Sequence, residues 1–114
     1  MAMGRPMDTK TQARYETRAR IIKAMAHPTR LFVVEELVRH GERCVCELTQ
    51  MVGVDMSTVS RHLAILASSG LIEHEKRGLQ VYYRACAGCI TDFLDCVESL
   101  MKCHARAQRE MFTA

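Results

Sequence analysis

The chain has 114 residues, of which 48% are apolar and 25% are charged, and its formal net charge is +3. This length and composition are those of one globular domain, which excludes a disordered chain. No apolar run reaches the roughly 18 residues that a membrane span needs, and the first residues lack the apolar stretch of a signal peptide. We therefore expect a single cytosolic domain over residues 1–114, with no membrane partner and no organic cofactor.

The first third of the chain predicts two helices. Residues 1–11 are polar and are expected to form a frayed arm. Apolar residues at helical spacing predict a first helix over residues 13–26. A second helix is predicted to begin at Pro28, because proline suits a first helical turn, and to end near Gly41, because glycine favours helix termination.

The middle of the chain predicts two short helices that are separated by a tight turn. The third helix is expected over residues 47–52 and is stopped by Gly53. The fourth is expected from residue 56 to about residue 69, with Asp55 as its N-cap. Two short helices around a glycine turn are typical of a helix-turn-helix.

The last third predicts a hairpin and a long helix. Two β-type runs, residues 71–75 and 79–84, flank a turn at residues 76–78. A wide apolar stripe predicts a last helix over residues 88–110. The order α-α-α-α-β-β-α predicts a mainly α fold with a small β-hairpin, a winged helix-turn-helix. The last helix carries more apolar surface than so small a domain covers, so we expect it to form a homodimer seam, together with the first helix.

Short polar and basic side chains begin the fourth helix, where a recognition helix meets the major groove of DNA. Ser57, Ser60 and Arg61 share or adjoin one helical face. Hydroxyl groups suit phosphates and base edges, and an arginine reaches guanine or phosphate. From these residues alone, a plain interpretation fits equally well, in which the hydroxyls cap the helix and Arg61 is solvated.

Several segments of the sequence resemble the ArsR/SmtB family of winged-helix metal-sensing repressors over residues 15–105. They are His27-Pro28-Thr29-Arg30-Leu31, Cys44-Val45-Cys46-Glu47-Leu48, Ser57-Thr58-Val59-Ser60-Arg61-His62-Leu63-Ala64-Ile65-Leu66, Ser69-Gly70-Leu71-Ile72 and Gly78-Leu79-Gln80-Val81-Tyr82-Tyr83. The resemblance implies a homodimer that binds a palindromic operator DNA when metal-free and releases it on binding a toxic metal or metalloid. It assigns DNA contact to one set of residues, Ser57, Thr58, Ser60, Arg61 and His62, with wing support from Lys76 and Arg77. His62 has the alternative of being a buried helix histidine.

Cys44-Val45-Cys46 is the sharpest chemical feature of the sequence. In a reducing cytosol the six cysteines are not a disulfide framework. We expect Cys44 to Cys46 to be an extended entry to the third helix, because alternate residues of an extended segment lie on the same side. Soft thiolates prefer As(III), Sb(III), Cd(II), Pb(II) or Cu(I) to hard ions. The alternative is that both cysteines are packed as small apolar side chains.

Within the family, the string from Cys44 to Leu48 looks like the arsenite-sensing version, so As(III) or Sb(III) is the expected inducer. That version has a third cysteine where this chain has Thr49. The third ligand is expected from the C-terminal region, where Cys89, Cys96 and Cys103 recur every seven residues. Otherwise the site uses two sulfurs and a small exogenous ligand. The three later cysteines have the alternative of packing in the dimer seam.

Two other metal motifs are weaker. Cys86-Ala-Gly-Cys89 has ligand spacing, but no second pair follows it. The zinc site that the family builds in its last helix begins with an Asp-X-His pair. Here Leu94 stands two residues after Asp92, and His104 does not restore the pair. We expect this zinc site to be absent.

These observations predict a transcriptional repressor that is released by a thiophilic metalloid or metal, and not an enzyme. A thiol-redox or persulfide sensor of the same fold is the nearest alternative. A thiol enzyme or a metal-trafficking protein that uses Cys86 and Cys89 is the remote one. Such an enzyme places its C-x-x-C next to a βαβ unit, and the sequence predicts none.

Overall fold

The computed structural model of the protein describes residue 4 and residues 6–112. The elements of this part of the chain are α1 (Thr9–Met25), α2 (Pro28–His40), β1 (Arg43–Cys44), α3 (Val45–Val52), α4 (Met56–Ser68), β2 (Ile72–Arg77), β3 (Gln80–Ala85) and α5 (Ile90–Phe112). The predicted winged helix-turn-helix is confirmed, with one strand added to it. None of the helices in the described residues combines the length and the apolar character that crossing a bilayer requires.

The core is built where α2, α3 and α4 meet the first residue of β2. Its fully buried side chains come from all four elements and are Val33, Val34, Leu48, Val59, Leu63, Leu66 and Ile72. The end of α1 closes the cluster through Ala24 and Met25. Apolar burial of this kind is the main favourable term in folding, and here it fixes α4 against α3.

The sheet has three strands in the order β1-β3-β2, and not the two strands of the predicted hairpin. β1 pairs antiparallel with β3, so that Arg43 lies opposite Tyr83 and Cys44 lies opposite Tyr82. A strand of two residues is too short to show the alternation by which strands are recognised in a sequence. The segment that carries the first two cysteines is therefore attached to the wing.

The turn of the wing lies later than the predicted turn at residues 76–78. β2 runs through Lys76 and Arg77, and the loop consists of Gly78 and Leu79. Gly78 has a φ of 62°, which a two-residue hairpin loop demands and which glycine tolerates. The Leu79 side chain is 99% exposed at the tip of the wing.

The two terminal helices differ from the prediction at their boundaries. α1 begins at Thr9, inside the predicted frayed arm, because the Asp8 carboxylate accepts a hydrogen bond from the Thr11 backbone N–H at 2.8 Å. Residues 1–3 and 5 of that arm lie outside the described residues. α5 packs against α2 and buries Leu94, while most of its 23 residues face outwards.

Candidate nucleic-acid interface and thiol groups

A sharp turn between α3 and α4 sets the orientation of the candidate recognition helix. Gly53 ends α3 in the left-handed conformation, with φ 82°, and its N–H donates to the Thr49 carbonyl at 2.9 Å. Asp55 is the N-cap of α4, as predicted. Because Val59 and Leu63 are fully buried, the opposite face of α4 is exposed.

Hydrogen bonds divide the predicted DNA-contacting residues of α4 into two groups. The Ser57 hydroxyl donates to the Asp55 carboxylate, and the Thr58 hydroxyl donates to it at 2.7 Å. These bonds lower the pKa of Asp55 to about 2, the Ser57 bond contributing most. Ser60 and Arg61 are exposed, and within the described residues Arg61 forms no salt bridge. Ser60 and Arg61 are thus the side chains that α4 leaves available to a ligand.

His62 lies at the inner edge of this face, half-buried against α2. Its ring centroid is 4.4 Å from that of His27, the N-cap of α2. His62 Nδ1 is buried and has no hydrogen-bond partner among the described residues. Burial lowers the pKa of His62, and the charges of His27, Arg30 and Arg61 lower it further. The half-buried position of His62 agrees with the alternative of a packed helix histidine, and its contact with DNA stays a prediction.

The two basic residues of the wing are in different situations. Lys76 is exposed on β2. Arg77 donates to the carboxylates of Glu42 and Glu75, and its guanidinium lies 4.8 Å from the centroid of the Tyr82 ring. These hydrogen bonds, the one to Glu42 above all, raise the pKa of Arg77. Arg77 fastens the wing to the segment before β1, while Lys76 projects from it.

Cys44 and Cys46 do not form the predicted extended pair. Cys44 is buried, and its Sγ accepts a hydrogen bond from the Glu47 N–H at 3.4 Å, so that this cysteine is the N-cap of α3. The Glu47 carboxylate accepts from the Cys44 N–H at 3.1 Å, which lowers the pKa of Glu47. Cys46 already lies in the first turn of α3. The prediction that both thiols share one side of an extended segment is wrong, because the capping box starts the helix at Val45.

The exposed thiol of Cys46 faces the wing. Its Sγ lies 3.6 Å from Oε1 of Gln80, the first residue of β3. No sequence pattern predicts this contact, because the two residues are brought together by the pairing of β1 with β3. A ligand bound to the Cys46 sulfur would therefore lie directly beside β3 of the wing.

The remaining candidate ligands are dispersed over the surface. Cys86, Cys89, Cys96 and Cys103 are all exposed. Thr49 occupies the position of the third cysteine of the arsenite-sensing version, and its hydroxyl donates to the Val45 carbonyl at 2.7 Å. Across residue 4 and residues 6–112, no three side chains of His, Cys, Asp or Glu converge into a metal site within one chain.

The fold agrees with comparisons to known proteins. The family described as bacterial regulatory protein, arsR family, matches residues 27–74. An uncharacterised HTH-type transcriptional regulator of Methanocaldococcus jannaschii is 31% identical over 87 residues, which are 76% of this chain and 98% of that protein. The chain belongs to the ArsR family. Proteins of this family are transcriptional regulators and not enzymes, and a solved neighbour binds DNA through a winged helix-turn-helix domain.

Two further proteins, one curated relative and one solved structure, are similar to this chain. The arsenical resistance operon repressor of Bacillus subtilis is 43% identical over 61 residues, 54% of this chain and 58% of that protein. The matched stretch thus spans little more than half of that relative. The solution structure of a homodimeric winged helix-turn-helix DNA-binding domain from Mycobacterium bovis superposes with a TM-score of 0.73. It is 28% identical, and the match covers 94% of this chain and 95% of that one.

Proposed function

We propose that the protein is a homodimeric repressor that reads a palindromic operator with α4 and releases it when a thiophilic metalloid binds at Cys44 and Cys46. Arsenite or antimonite is the proposed inducer, with Cd(II), Pb(II) and Cu(I) as alternatives. The observation that carries the proposal is the exposed pair of Ser60 and Arg61 on a helix held by a helix-turn-helix and flanked by a wing.

The hydrogen bonds of α4 support a role of this helix in reading DNA. Ser57 and Thr58 are tied to Asp55, and their proposed contacts are to the phosphate backbone. Ser60 and Arg61 are exposed, and their side chains form no hydrogen bond or salt bridge within the part of the chain that the structure describes. A bidentate arginine contact to guanine gives about 1–3 kcal/mol of discrimination. Lys76 supplies a phosphate contact from the wing, whereas Arg77 contributes mainly by holding the wing in place.

Two thiols in α3 and at its N-cap, together with an arsenic-related relative, support a thiophilic inducer. Cys44 caps α3, and Cys46 stands in the first turn of the same helix, where the helix dipole favours a thiolate. To share one ion, the Cys44 sulfur has to leave its buried position, which pulls on the start of α3 and on β1. The Bacillus subtilis relative is an arsenical resistance operon repressor, which supports arsenite. With Thr49 in place of a third cysteine, a small exogenous ligand completes the site.

The experiment is fluorescence anisotropy on a duplex that the wild-type protein has selected from a random pool. Arg61→Ala is expected to weaken binding by about 1–3 kcal/mol, with unchanged circular dichroism because the side chain is exposed. Arg106→Ala removes the same charge from the far end of α5 and serves as the matched control. Binding that survives the combined Arg61→Ala and Ser60→Ala variant contradicts the assigned reading face.

The inducer is identified in the same assay by titrating arsenite, antimonite, Cd(II), Zn(II) and polysulfide under reducing conditions. Arsenite is expected to weaken wild-type binding by about 5–150-fold, the usual range of allosteric coupling. Cys44→Ser and Cys46→Ser are expected to bind the duplex normally and to keep it when arsenite is added. Cys86→Ser is the control that still responds. A full response of both Cys44→Ser and Cys46→Ser places the sensing site elsewhere.

A further inference from the structure

A cavity of about 290 Å³ lies where the end of α1, the start of α2 and the end of α4 meet. Three basic side chains line it, Arg20 and Lys23 from α1 and Arg30 from α2. No Asp or Glu of the described residues contributes to its walls. The side chains that are proposed to read DNA or to bind the inducer do not line it either, so the proposed function leaves this cavity without a role.

The positive charges around this cavity are not neutralised by the protein. Within residue 4 and residues 6–112, Arg20, Lys23 and Arg30 take part in no salt bridge. By contrast, Arg77 and Arg84 of the wing each contact more than one carboxylate. Because like charges around one cavity repel one another, an anion placed among the three cations is favourable.

Arg30 is the half-buried member of this group. Its Nη1 donates to the Ala24 carbonyl at 3.1 Å, which holds the guanidinium at the end of α1. Its Nε is buried and has no acceptor among the described residues. Buried donors of folded proteins are nearly always paired, and a guanidinium binds the two oxygens of a carboxylate or phosphate side by side. An anion with two neighbouring oxygens would supply the acceptor that Nε lacks.

The carbonyl groups at the nearby helix ends, which would repel an anion, are already engaged. α1 and α4 both end at the cavity, and the C-terminus of a helix carries a partial negative charge. The Ser68 hydroxyl donates to the Ile65 carbonyl at 2.9 Å, and the Ser69 hydroxyl donates to the Leu66 carbonyl at 2.7 Å. Arg30 engages a carbonyl at the end of α1 in the same way. The basic side chains therefore determine the sign of the charge in the cavity.

The remaining walls favour a small organic anion over the phosphate backbone of DNA. Ala24 is buried, Ile65 is half-buried, and both line the cavity. Apolar walls with a few polar groups that fix orientation are typical of pockets for small molecules, whereas a DNA phosphate gains nothing from such walls. Ser60 and Arg61, the proposed reading residues, lie in the first two turns of α4, while the cavity lies at the end of this helix.

We propose that this cavity binds a small organic anion, with a carboxylate or phosphate group between Arg20, Lys23 and Arg30 and an apolar body against Ala24 and Ile65. The cavity volume is at the lower end of the range for ligand pockets, so the apolar body is one ring or a short aliphatic chain. Since Ile65 belongs to α4, the bound anion contacts the helix that is proposed to read DNA. The site needs neither the thiols nor a second copy of the chain.

The test is an NMR titration of the isotope-labelled full chain with probes that separate the two parts of the ligand. Benzoate and phenyl phosphate carry the two candidate anionic groups on one ring, and binding of either supports the proposal and identifies the group. Benzamide lacks the charge and acetate lacks the ring, so each is expected to bind at least about ten-fold more weakly. The backbone signals of Ala24 and Ser69 are expected to shift, and that of Leu100 is expected to stay in place.

Three outcomes of this titration overturn the proposal. They are equal binding of benzamide and benzoate, equal binding of acetate and benzoate, and no binding of either ring-bearing anion at millimolar concentration. The first shows that the cations do not select the ligand, and the second shows that the apolar walls do not. The third shows that the cavity is not a site for this class of molecule.

Variants of the lining residues locate the bound anion. Arg20→Gln combined with Lys23→Gln is expected to weaken binding at least about three-fold, and Arg30→Lys, which keeps the charge but loses the fork, at least about ten-fold. Lys10→Gln combined with Arg14→Gln removes the same charge from the same helix away from the cavity and is the matched control. Equal binding by the two double variants overturns the proposal. Because Arg20 and Lys23 are exposed, this comparison holds even where circular dichroism shows that Arg30→Lys is destabilised.

The variant that lacks both Arg20 and Lys23 also distinguishes this site from a DNA contact. Anisotropy measures its affinity for the selected duplex at several salt concentrations. A shallower salt dependence in this variant, together with a wild-type chain that binds neither benzoate nor phenyl phosphate, assigns the cations to the DNA backbone and overturns the proposal. Anion binding is measured without DNA, so its failure leaves the proposed repressor function intact.

Discussion

The body formed by α2, α3, α4 and the start of β2 contrasts with α5. Among the described residues, the seven largest side chains that are fully buried all lie in the body. α5 is the longest helix of the described residues, yet it buries Leu94 and leaves Phe93, Leu100 and Met111 exposed. The same apolar residue types therefore have different effects in the two regions. In the body they stabilise one chain, and on α5 they are exposed and available to the homodimer proposed above.

The largest expected effect is that of truncating a core side chain. Leu63 has no exposed surface, and Leu63→Ala is expected to lower the free energy of unfolding by about 2–5 kcal/mol, through lost apolar contacts and the cavity left behind. Urea denaturation measures the change. A loss below about 1 kcal/mol would contradict the tight packing of α4 on α3.

Leu100→Ala is the matched substitution on α5. The Leu100 side chain is 64% exposed in one chain, so its removal is expected to change dimer dissociation more than the stability of the body. Sedimentation across a range of protein concentrations should show a weaker dimer for Leu100→Ala. An equal loss of stability at all concentrations would show that the side chain packs within its own chain.

The next effect concerns the cap of α3. Cys44→Ala removes the acceptor of the Glu47 N–H and is expected to cost about 0.5–2 kcal/mol. Cys44→Ser keeps an acceptor and is expected to lose less. Cys46 is exposed, so Cys46→Ala is expected to stay within about 0.5 kcal/mol of the wild type. Equal losses for Cys44→Ala and Cys44→Ser in urea denaturation would rule out the capping role.

A smaller effect is expected from pH. Folding lowers the pKa of His62, so the unfolded chain takes up a proton first as the pH falls through about 6.5. The free energy of unfolding is therefore expected to fall between about pH 7.5 and pH 5. His62→Gln should flatten this dependence, and His104→Gln, at an exposed position of α5, should not. An unchanged slope in His62→Gln would show that another group causes it.

The smallest effect on stability is expected from the surface ion pairs of the wing. Glu42→Gln removes one carboxylate from Arg77, but exposed pairs contribute little. Arg77 keeps its hydrogen bond to Glu75, but the loss of one negative charge beside it is expected to tighten DNA binding and to steepen its dependence on salt. Anisotropy at several salt concentrations measures both. Glu110→Gln changes the net charge equally at the end of α5 and should leave the slope nearer that of the wild type.

The sequence predicts best what depends on neighbouring residues. The N-cap at Asp55, the stop at Gly53 and the start of α2 at Pro28 are all local signals, and the structure confirms each of them. The pairing of β1 with β3 joins residues about 40 positions apart, so no local sequence pattern predicts it.

The relative orientation of the Cys44 and Cys46 thiols also depends on more than the local sequence. The sequence shows two cysteines in one short segment, but it does not show that the first of them is used to start a helix. Once Cys44 caps α3, Cys46 belongs to the helix and turns outwards. The contact of Cys46 with Gln80 then depends on the pairing of strands in the sheet, so it cannot be predicted from this segment alone.

The cap of α3 has a consequence for how this protein can change over generations. A residue at position 44 must fit a buried space and accept a hydrogen bond, so selection for folding alone favours a narrow choice of side chains there. Position 46 is under no such demand. If the proposed inducer site were lost in a lineage, the outer cysteine would be free to change, while position 44 would still need a small side chain that accepts a hydrogen bond. Under the proposed function, selection for folding therefore acts on the inner position alone, and selection for sensing acts on both.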